Sequence, residues 1–197
     1  MRPLLACAAF LLAAAPALAG FEQTIPRGRV RRLVVDFPAG EVTVRNGAPD
    51  RITIAGKARR KNVEVDDAKL VLKVDGDEAV ISRVGGSRLI NYSVIVEVPP
   101  GIDVEVETRY GEVNLNGSFG DVDVDLRAGE VRLSTPRANV KQLAASVLVG
   151  EVHTNLGDRT IEREGVFPGT TRWENESGRS KVSVHTTAGE VHVTLLR

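Results

Sequence analysis

The chain has 197 residues, and its 26 basic and 26 acidic residues balance to no formal net charge at neutral pH. Nucleic acid and anionic membranes attract proteins that carry an excess of positive charge, so the composition gives no reason to expect either partner. Cys7 is the only cysteine, which excludes an internal disulfide framework.

The first 19 residues have the features of a secretory signal peptide. Arg2 precedes a short apolar run, and Ala17-Leu18-Ala19 places small residues where a signal peptidase reads them. We therefore predict cleavage after Ala19 and one mature domain over residues 20–197, exported to the periplasm or cell surface of a bacterium. The apolar run is shorter than the ~20 residues that span a bilayer, and no later segment is apolar enough to do so. Arg2 and Cys7 leave with the signal peptide, so the mature chain has a formal charge of −1 and no thiol.

A cluster of basic residues follows the signal peptide. It can be interpreted as a surface patch for polyanions or as a solvated edge strand whose charges discourage edge-to-edge association, and we favour the edge strand. The cluster consists of Arg27, Arg29, Arg31 and Arg32.

The rest of the first half, up to residue 103, predicts mostly antiparallel strands. Leu70 and Leu72 alternate with polar residues, Asp75-Gly76-Asp77-Glu78 has the composition of a tight turn, and alternation resumes at Val80. This pattern is typical of a β-hairpin. A later strand ends at Pro99-Pro100-Gly101, because proline lacks the N–H that would continue the pairing.

A repeated phrase, glycine followed by an acidic residue and valine, dominates the rest of the chain. Around most copies, apolar residues or threonine occupy positions seven, five and three before the glycine and two and four after it. The glycines are Gly40, Gly111, Gly120, Gly129, Gly150 and Gly189.

The spacing of these glycines, 18 residues from Gly111 to Gly129 and 21 from Gly129 to Gly150, predicts a β-solenoid or β-helix over residues 104–197. Each coil would turn its apolar residues inward and its charged residues outward. Gly111 and Gly129 would be the same corner in successive coils, and Gly120 would be the opposite corner. The fold class predicted for the whole chain is all-β.

The segment 155–179 interrupts the repeat and contains Trp173, the only tryptophan. Its length and aromatic content make it a candidate for contact with a partner. The alternative, which we favour, is that Trp173 caps the open end of the stack, because stacked repeats need capped ends.

Four stretches carry a resemblance to a known family: GEVTVRNG, VEVPPGIDVEVETRYGEVNLNG, FGDVDVDLRAGEVRL and TTAGEVHVTL. They resemble the bacterial putative-adhesin family, exported β-proteins of the cell envelope with Gly-Asp/Glu-Val repeats and unknown function. The resemblance covers nearly the whole mature chain. It implies no catalytic residues, because the family has no catalytic motif to carry over.

The mature sequence contains no pattern typical of a catalytic or cofactor site. It has no nucleophile motif of the Gly-x-Ser-x-Gly kind and no phosphate-binding loop. The recurring Glu112, Glu130, Glu151 and Glu190 are expected to form a solvated row, since catalytic carboxylates need unlike environments. We therefore expect no catalytic residues and no cofactor.

The three histidines do not match a metal-binding pattern either. His153 and His192 follow the same phrase and should project outward at equivalent positions, and His185 lies across the corner from His192. Their spacing matches no zinc motif, and the acidic turns do not match the calcium-binding repeat. No metal is expected.

These observations favour a non-enzymatic cell-envelope protein that binds an envelope polysaccharide or protein, or gives structural support. The alternative is a carbohydrate-active β-helix enzyme, which would need a cleft with two unlike carboxylates. A third hypothesis is self-assembly through exposed terminal strands.

Overall fold

A computed structural model describes residues 21–60, 63–64, 68–85, 90–155, 160–163 and 169–197. Regular structure in these ranges is β-strand, apart from a single 3-10 turn at Arg137–Asn139. The all-β prediction is confirmed. The predicted signal peptide and parts of the 155–179 segment lie outside the described residues. Among the described residues, no helix has the length and apolar character needed to cross a membrane.

In the described ranges, thirteen strands belong to a single mixed sheet. The strands are β1 (Phe21–Pro26), β2 (Arg32–Asn46), β3 (Arg51–Arg60), β4 (Val63–Glu64), β5 (Ala68–Asp75), β6 (Glu78–Gly85), β7 (Asn91–Val98), β8 (Asp103–Asn116), β9 (Val122–Pro136), β10 (Val140–Asn155), β11 (Thr160–Arg163), β12 (Gly169–Glu174) and β13 (Ser180–Leu196). The path of neighbouring strands is β1-β3-β7-β2-β8-β9-β13-β10-β11, and β12 also pairs with β10, β6 with β2 and β5, and β4 with β3.

The predicted hairpin is present. β5 and β6 pair antiparallel, with Asp75 opposite Glu78, and Gly76 takes a φ of 62° in the turn between them. β3 also pairs antiparallel, with β1 on one side and β7 on the other. β2 departs from this pattern, because it pairs parallel with β6, β7 and β8 and so joins the first half of the chain to the second.

The interpretation of the basic cluster as an edge strand is wrong. Arg27, Arg29 and Arg31 lie in the connection between β1 and β2, and Arg32 begins β2, which has partners on both sides. β1 is the strand at that end of the sheet, and its only charged residue is Glu22. Alternation of Arg29, Arg31 and neighbouring apolar residues resembled a strand, but the chain turns at Gly28 instead.

Five long strands form what we call the parallel ladder: β2, β8, β9, β13 and β10, in that spatial order. All four pairings are parallel and in register on the repeat glycine. The glycines that face one another are Gly40, Gly111, Gly129, Gly189 and Gly150.

Each long strand turns a corner at its glycine. In β9, Leu126 and Val131 are both buried although they are five residues apart. In a straight strand an odd separation places two side chains on opposite faces, so the chain must bend between them. Gly129 lies at this bend with a φ of 141°. We call the residues before the glycine the first limb and those after it the second limb.

The bend explains how adjacent parallel strands can be joined by short connections. Only residues 117–121 link β8 to β9, whereas parallel neighbours in an ordinary sheet need a crossover of about a dozen residues. The bent strand brings its own end back toward its start. Gly120 lies in this connection, where its N–H donates to the Ile102 carbonyl at 2.9 Å. The parallel, in-register pairing is what a β-solenoid requires, and the solenoid description itself stays a prediction.

The spatial order of the repeats differs from their order in the sequence. β13 lies between β9 and β10, so Gly189 faces both Gly129 and Gly150. The spacing of 21 residues suggested that Gly129 and Gly150 belong to adjacent coils. They are not neighbours, because the last strand of the chain is inserted between them.

The interior of the ladder is lined by valine, leucine and threonine. Thr186 is completely buried on β13, and its Oγ1 has no hydrogen-bond partner among the described residues. A buried hydroxyl without a partner costs free energy, because it has lost its hydrogen bonds to water.

We expect Thr186→Val to raise the free energy of unfolding by about 1–2 kcal/mol, because valine keeps the shape and removes the unpaired hydroxyl. Urea denaturation followed by circular dichroism measures this change. Thr194→Val is a matched control on the same strand, at a half-buried position, and should stay within about 0.5 kcal/mol of the parent chain. A loss of stability in Thr186→Val would contradict the absence of a partner.

Candidate functional site

Two rows of polar side chains run across the second limbs of the ladder. The first follows each glycine directly, and we call it the carboxylate row. The second lies two residues further along each strand. The carboxylate row is Glu41, Glu112, Glu130, Glu190 and Glu151, and the second row is Thr43, Asn114, Arg132, His192 and His153.

The two histidines of the second row are direct neighbours. His153 on β10 and His192 on β13 are register partners. Their rings stack with centroids 4.7 Å apart and planes inclined by 12°. Residues two apart share a face of a strand, so each imidazole also lies beside the carboxylate of its own strand. The Nε2 of His153 is 3.1 Å from Oε2 of Glu151.

His192 is the centre of the tightest cluster. Its Nε2 is 3.2 Å from Oε2 of Glu190 on the same strand and 3.3 Å from Oε1 of Glu130 on β9. One ligand atom from each of the three residues lies within 4.8 Å of the other two. The cluster is accessible but not fully exposed, because the side chain of Glu130 is only 21% exposed.

Arg132 fixes the position of Glu130. Its Nη2 is 2.5 Å from Oε2 of Glu130, and its Nη1 is 3.5 Å from Oε2 of Glu112. Glu130 thus uses one oxygen for the guanidinium and turns the other toward His192. Arg132, His192 and His153 occupy equivalent positions, because each directly follows a Gly-Glu-Val phrase on one of three neighbouring strands.

Sequence reasoning expected outward-facing histidines and missed that they form a cluster with two glutamates. The motif rules for zinc compare residues that are close in the sequence, whereas Glu130 lies on β9 and Glu190 and His192 lie on β13. Two copies of Gly-Glu-Val-His at equivalent repeat positions were the available signal. His185, the third histidine, lies on the first limb and shares a hydrogen bond of 3.0 Å with Ser146.

A second acidic row runs across the first limbs. Asp36, Glu107 and Asp125 are register neighbours on β2, β8 and β9, and all three are exposed. In the described part of the chain no arginine or lysine lies within ion-pair distance of them. We call these three residues the first-limb row.

A depression of about 390 Å³ opens beside the first-limb row. Most of its carboxylates already have structural partners. Oδ1 of Asp103 accepts the Asp121 N–H at 2.8 Å, and Oδ1 of Asp121 accepts the Lys181 N–H at 2.8 Å. Glu105 pairs with Arg32. Asp123 is a further carboxylate in the lining.

Trp173 lies at the end of the ladder. β12 pairs antiparallel with the first limb of β10, where Trp173 is opposite Leu143, and β11 pairs with the second limb. The indole is partly buried against the core, and the guanidinium of Arg137 lies 5.4 Å from its ring centroid. These two strands cover β10, which agrees with the capping interpretation of Trp173. Its contact with a partner stays a prediction.

Comparisons with known proteins do not assign a family. No family model matches the chain, and no curated protein matches it. The chain is similar to the solved structure of a putative cell adhesion protein from Clostridium sporogenes, with 11% identity and a TM-score of 0.47 over 90% of this chain and 100% of that one. It is also similar to a putative adhesin from Bacteroides fragilis, with 9% identity and a TM-score of 0.29 over 91% and 99%. Both TM-scores are below 0.5, so these similarities carry no argument about function.

Proposed function

We propose that this is a non-enzymatic, exported cell-envelope protein that binds an envelope polysaccharide through the first limbs of its parallel ladder. The observation that carries the proposal is the first-limb row, in which Asp36, Glu107 and Asp125 occupy directly adjacent register positions on three strands.

This arrangement is unfavourable for the isolated protein. Like charges directly opposite one another on neighbouring strands destabilise a sheet. In the described residues no basic side chain offsets the three carboxylates by an ion pair. A site built for binding explains why a fold would keep such a row.

The chemistry of the row suits a polymer rich in hydroxyl groups. Carboxylates accept charge-assisted hydrogen bonds, which are stronger than bonds between neutral groups. β8 and β9 have paired neighbours on both sides, and β2 pairs with β8 on either side of Asp36, so the row is ordered before a ligand arrives. Preorganisation of this kind lowers the entropic cost of binding.

The signal peptide predicted over residues 1–19 supports the exported location. If the proposal is right, cell fractionation places the protein in the periplasm or at the surface, and mass spectrometry of the purified chain finds Gly20 at its N-terminus. An intact N-terminus in the cytoplasmic fraction would contradict export.

The binding test compares two triple variants of equal charge change. The first neutralises the row as Asp36→Asn, Glu107→Gln and Asp125→Asn. The control neutralises three exposed carboxylates outside it as Glu22→Gln, Asp75→Asn and Glu176→Gln. Co-sedimentation with purified envelope polysaccharide gives the apparent Kd of each.

We expect the row variant to bind at least about tenfold more weakly than the parent chain, because each lost charge-assisted bond contributes about 1.5 kcal/mol or more. The control should bind like the parent. Equal weakening in both variants would show that only net charge matters, and no binding by the parent chain would leave structural support as the function.

The same incubation tests the alternative of a carbohydrate-active enzyme. The depression with Asp123 is the observation that favours it. Hydrolysis of glycosides usually requires two carboxyl groups about 5–9.5 Å apart in unlike roles, and the three other carboxylates there are held by backbone N–H groups or by Arg32. Chromatography of the polysaccharide after incubation should therefore show no shortened products, and their appearance, lost on Asp123→Asn, would replace the proposal.

A further inference from the structure

We propose that Glu130, Glu190 and His192 form a binding site for one divalent transition-metal ion, and that Zn²⁺ is the ion that fits it best. The site lies on the second limbs, on the other side of the glycine corner from the first-limb row. It is therefore independent of the proposed polysaccharide binding.

The donor set has the chemistry of a metal site. One imidazole nitrogen and two carboxylate oxygens converge from two neighbouring strands. Neutral imidazole suits zinc, copper, iron and nickel, whereas sites for magnesium or calcium are built mainly from oxygen ligands. Three protein ligands with an open fourth position are typical of accessible zinc sites.

Two of the three separations between ligand atoms match the tetrahedral geometry of zinc. With bonds of about 2.0–2.1 Å to nitrogen and oxygen, two ligands of a tetrahedral ion are separated by about 3.3–3.4 Å. The Nε2 of His192 is 3.2 Å from the Glu190 oxygen and 3.3 Å from the Glu130 oxygen. An octahedral ion with similar bonds would hold adjacent ligands at about 2.9 Å.

The neighbouring groups hold the ligands in place. The ring of His153 stacks on that of His192 and restricts its rotation. Arg132 binds Oε2 of Glu130 and leaves Oε1 directed toward His192. Arg132 and His153 are thus positioning residues, and ligands fixed by such partners bind metal more tightly than free side chains.

Carboxylates also outnumber cationic groups here. On β8, β9, β13 and β10 the carboxylate row contributes four glutamates, Glu112, Glu130, Glu190 and Glu151. Among the described residues of the two rows on these strands, Arg132 is the only arginine or lysine. A divalent cation would reduce the repulsion between adjacent glutamates, which is unfavourable in neighbouring strands. An imidazole N–H that donates a hydrogen bond to a carboxylate produces similar distances without a metal, and zinc titration distinguishes the two arrangements.

The experiment is isothermal titration of Zn²⁺ into the purified chain without a polyhistidine tag, at pH 7.5. The test variant is His192→Ala, and the control is His185→Ala, which removes a histidine of the same strand on the opposite limb. A second test variant, Glu190→Gln, changes a side chain that is 56% exposed, so it should fold even if His192→Ala does not. Circular dichroism checks the fold of each.

We expect one Zn²⁺ per parent chain, and an affinity that falls by more than about tenfold in His192→Ala and Glu190→Gln, since losing even an outer partner of a metal ligand typically costs about tenfold. His185→Ala should bind like the parent. No zinc binding by the parent chain would overturn the proposal and identify the cluster as an ion-pair network. Unchanged binding in both test variants would overturn it as well, and so would saturation by Ca²⁺ at equal or higher affinity.

Discussion

Replacement of Gly129 by alanine should lower the free energy of unfolding by more than about 3 kcal/mol, because two separate costs arise at this corner. The first is conformational. Gly129 has a φ of 141°, a region that side-chain-bearing L-residues rarely adopt. Holding a residue in such a conformation costs about 1–3 kcal/mol.

The second cost is steric. A Cβ on Gly129 would lie 1.8 Å from the carbonyl oxygen of Gly111 on the neighbouring strand. The obstacle is backbone that belongs to the same ladder, so it cannot rotate away as a side chain would. Relief requires the two strands to separate at the corner, which weakens the pairing of β8 with β9. Overpacking of this kind typically costs about 1–3 kcal/mol.

Urea denaturation measures the effect, and Gly76→Ala is the matched control. Gly76 also has a positive φ, of 62°, but a Cβ there would meet no atom within 4 Å. It should therefore lose only the conformational part, about 1–2 kcal/mol. Equal losses in the two variants would show that the corner is not as tightly packed as the structure has it.

The glycine corner is the part of the fold that could be predicted from sequence. Alternating apolar residues specify which side chains face inward. Apolar residues occupy the third position before Gly129 and the second position after it, and this change of spacing marks the bend. Both signals are local. The hairpin around Gly76 was predictable for the same reason, because its two strands and its turn are adjacent in the sequence.

The order of the strands could not be predicted in this way. The five long strands share the same apolar positions relative to their glycines, so the local pattern gives no preference for one neighbour over another. That β13 lies between β9 and β10 is decided by the packing of the whole chain. The cluster of Glu130, Glu190 and His192 depends on this order, so it was missed with it.

A substitution in the interior between the limbs should also have a large effect on the free energy of unfolding. Leu126→Ala should lower the free energy of unfolding by about 3–5 kcal/mol, in the upper part of the range for buried leucine. Leu126 is fully buried on β9, and its register neighbours are Thr108 on β8 and Thr186 on β13. Threonine is branched at Cβ and has few rotamers, so neither neighbour can fill the space that the leucine leaves.

The matched control is Leu148→Ala on β10, where the leucine is 50% exposed. Its removal should cost less than about 1 kcal/mol, because little apolar surface is withdrawn from the interior. The two variants lose the same atoms, so the difference between their free energies of unfolding measures the burial of the leucine and the cavity together. A loss for Leu126 of only about 2 kcal/mol, the transfer part alone, would mean that the limbs close around the vacancy, and hence that the glycine corners bend freely. A large difference would mean that the corners are rigid and that the rows on the two outer faces keep their spacing when the interior is disturbed.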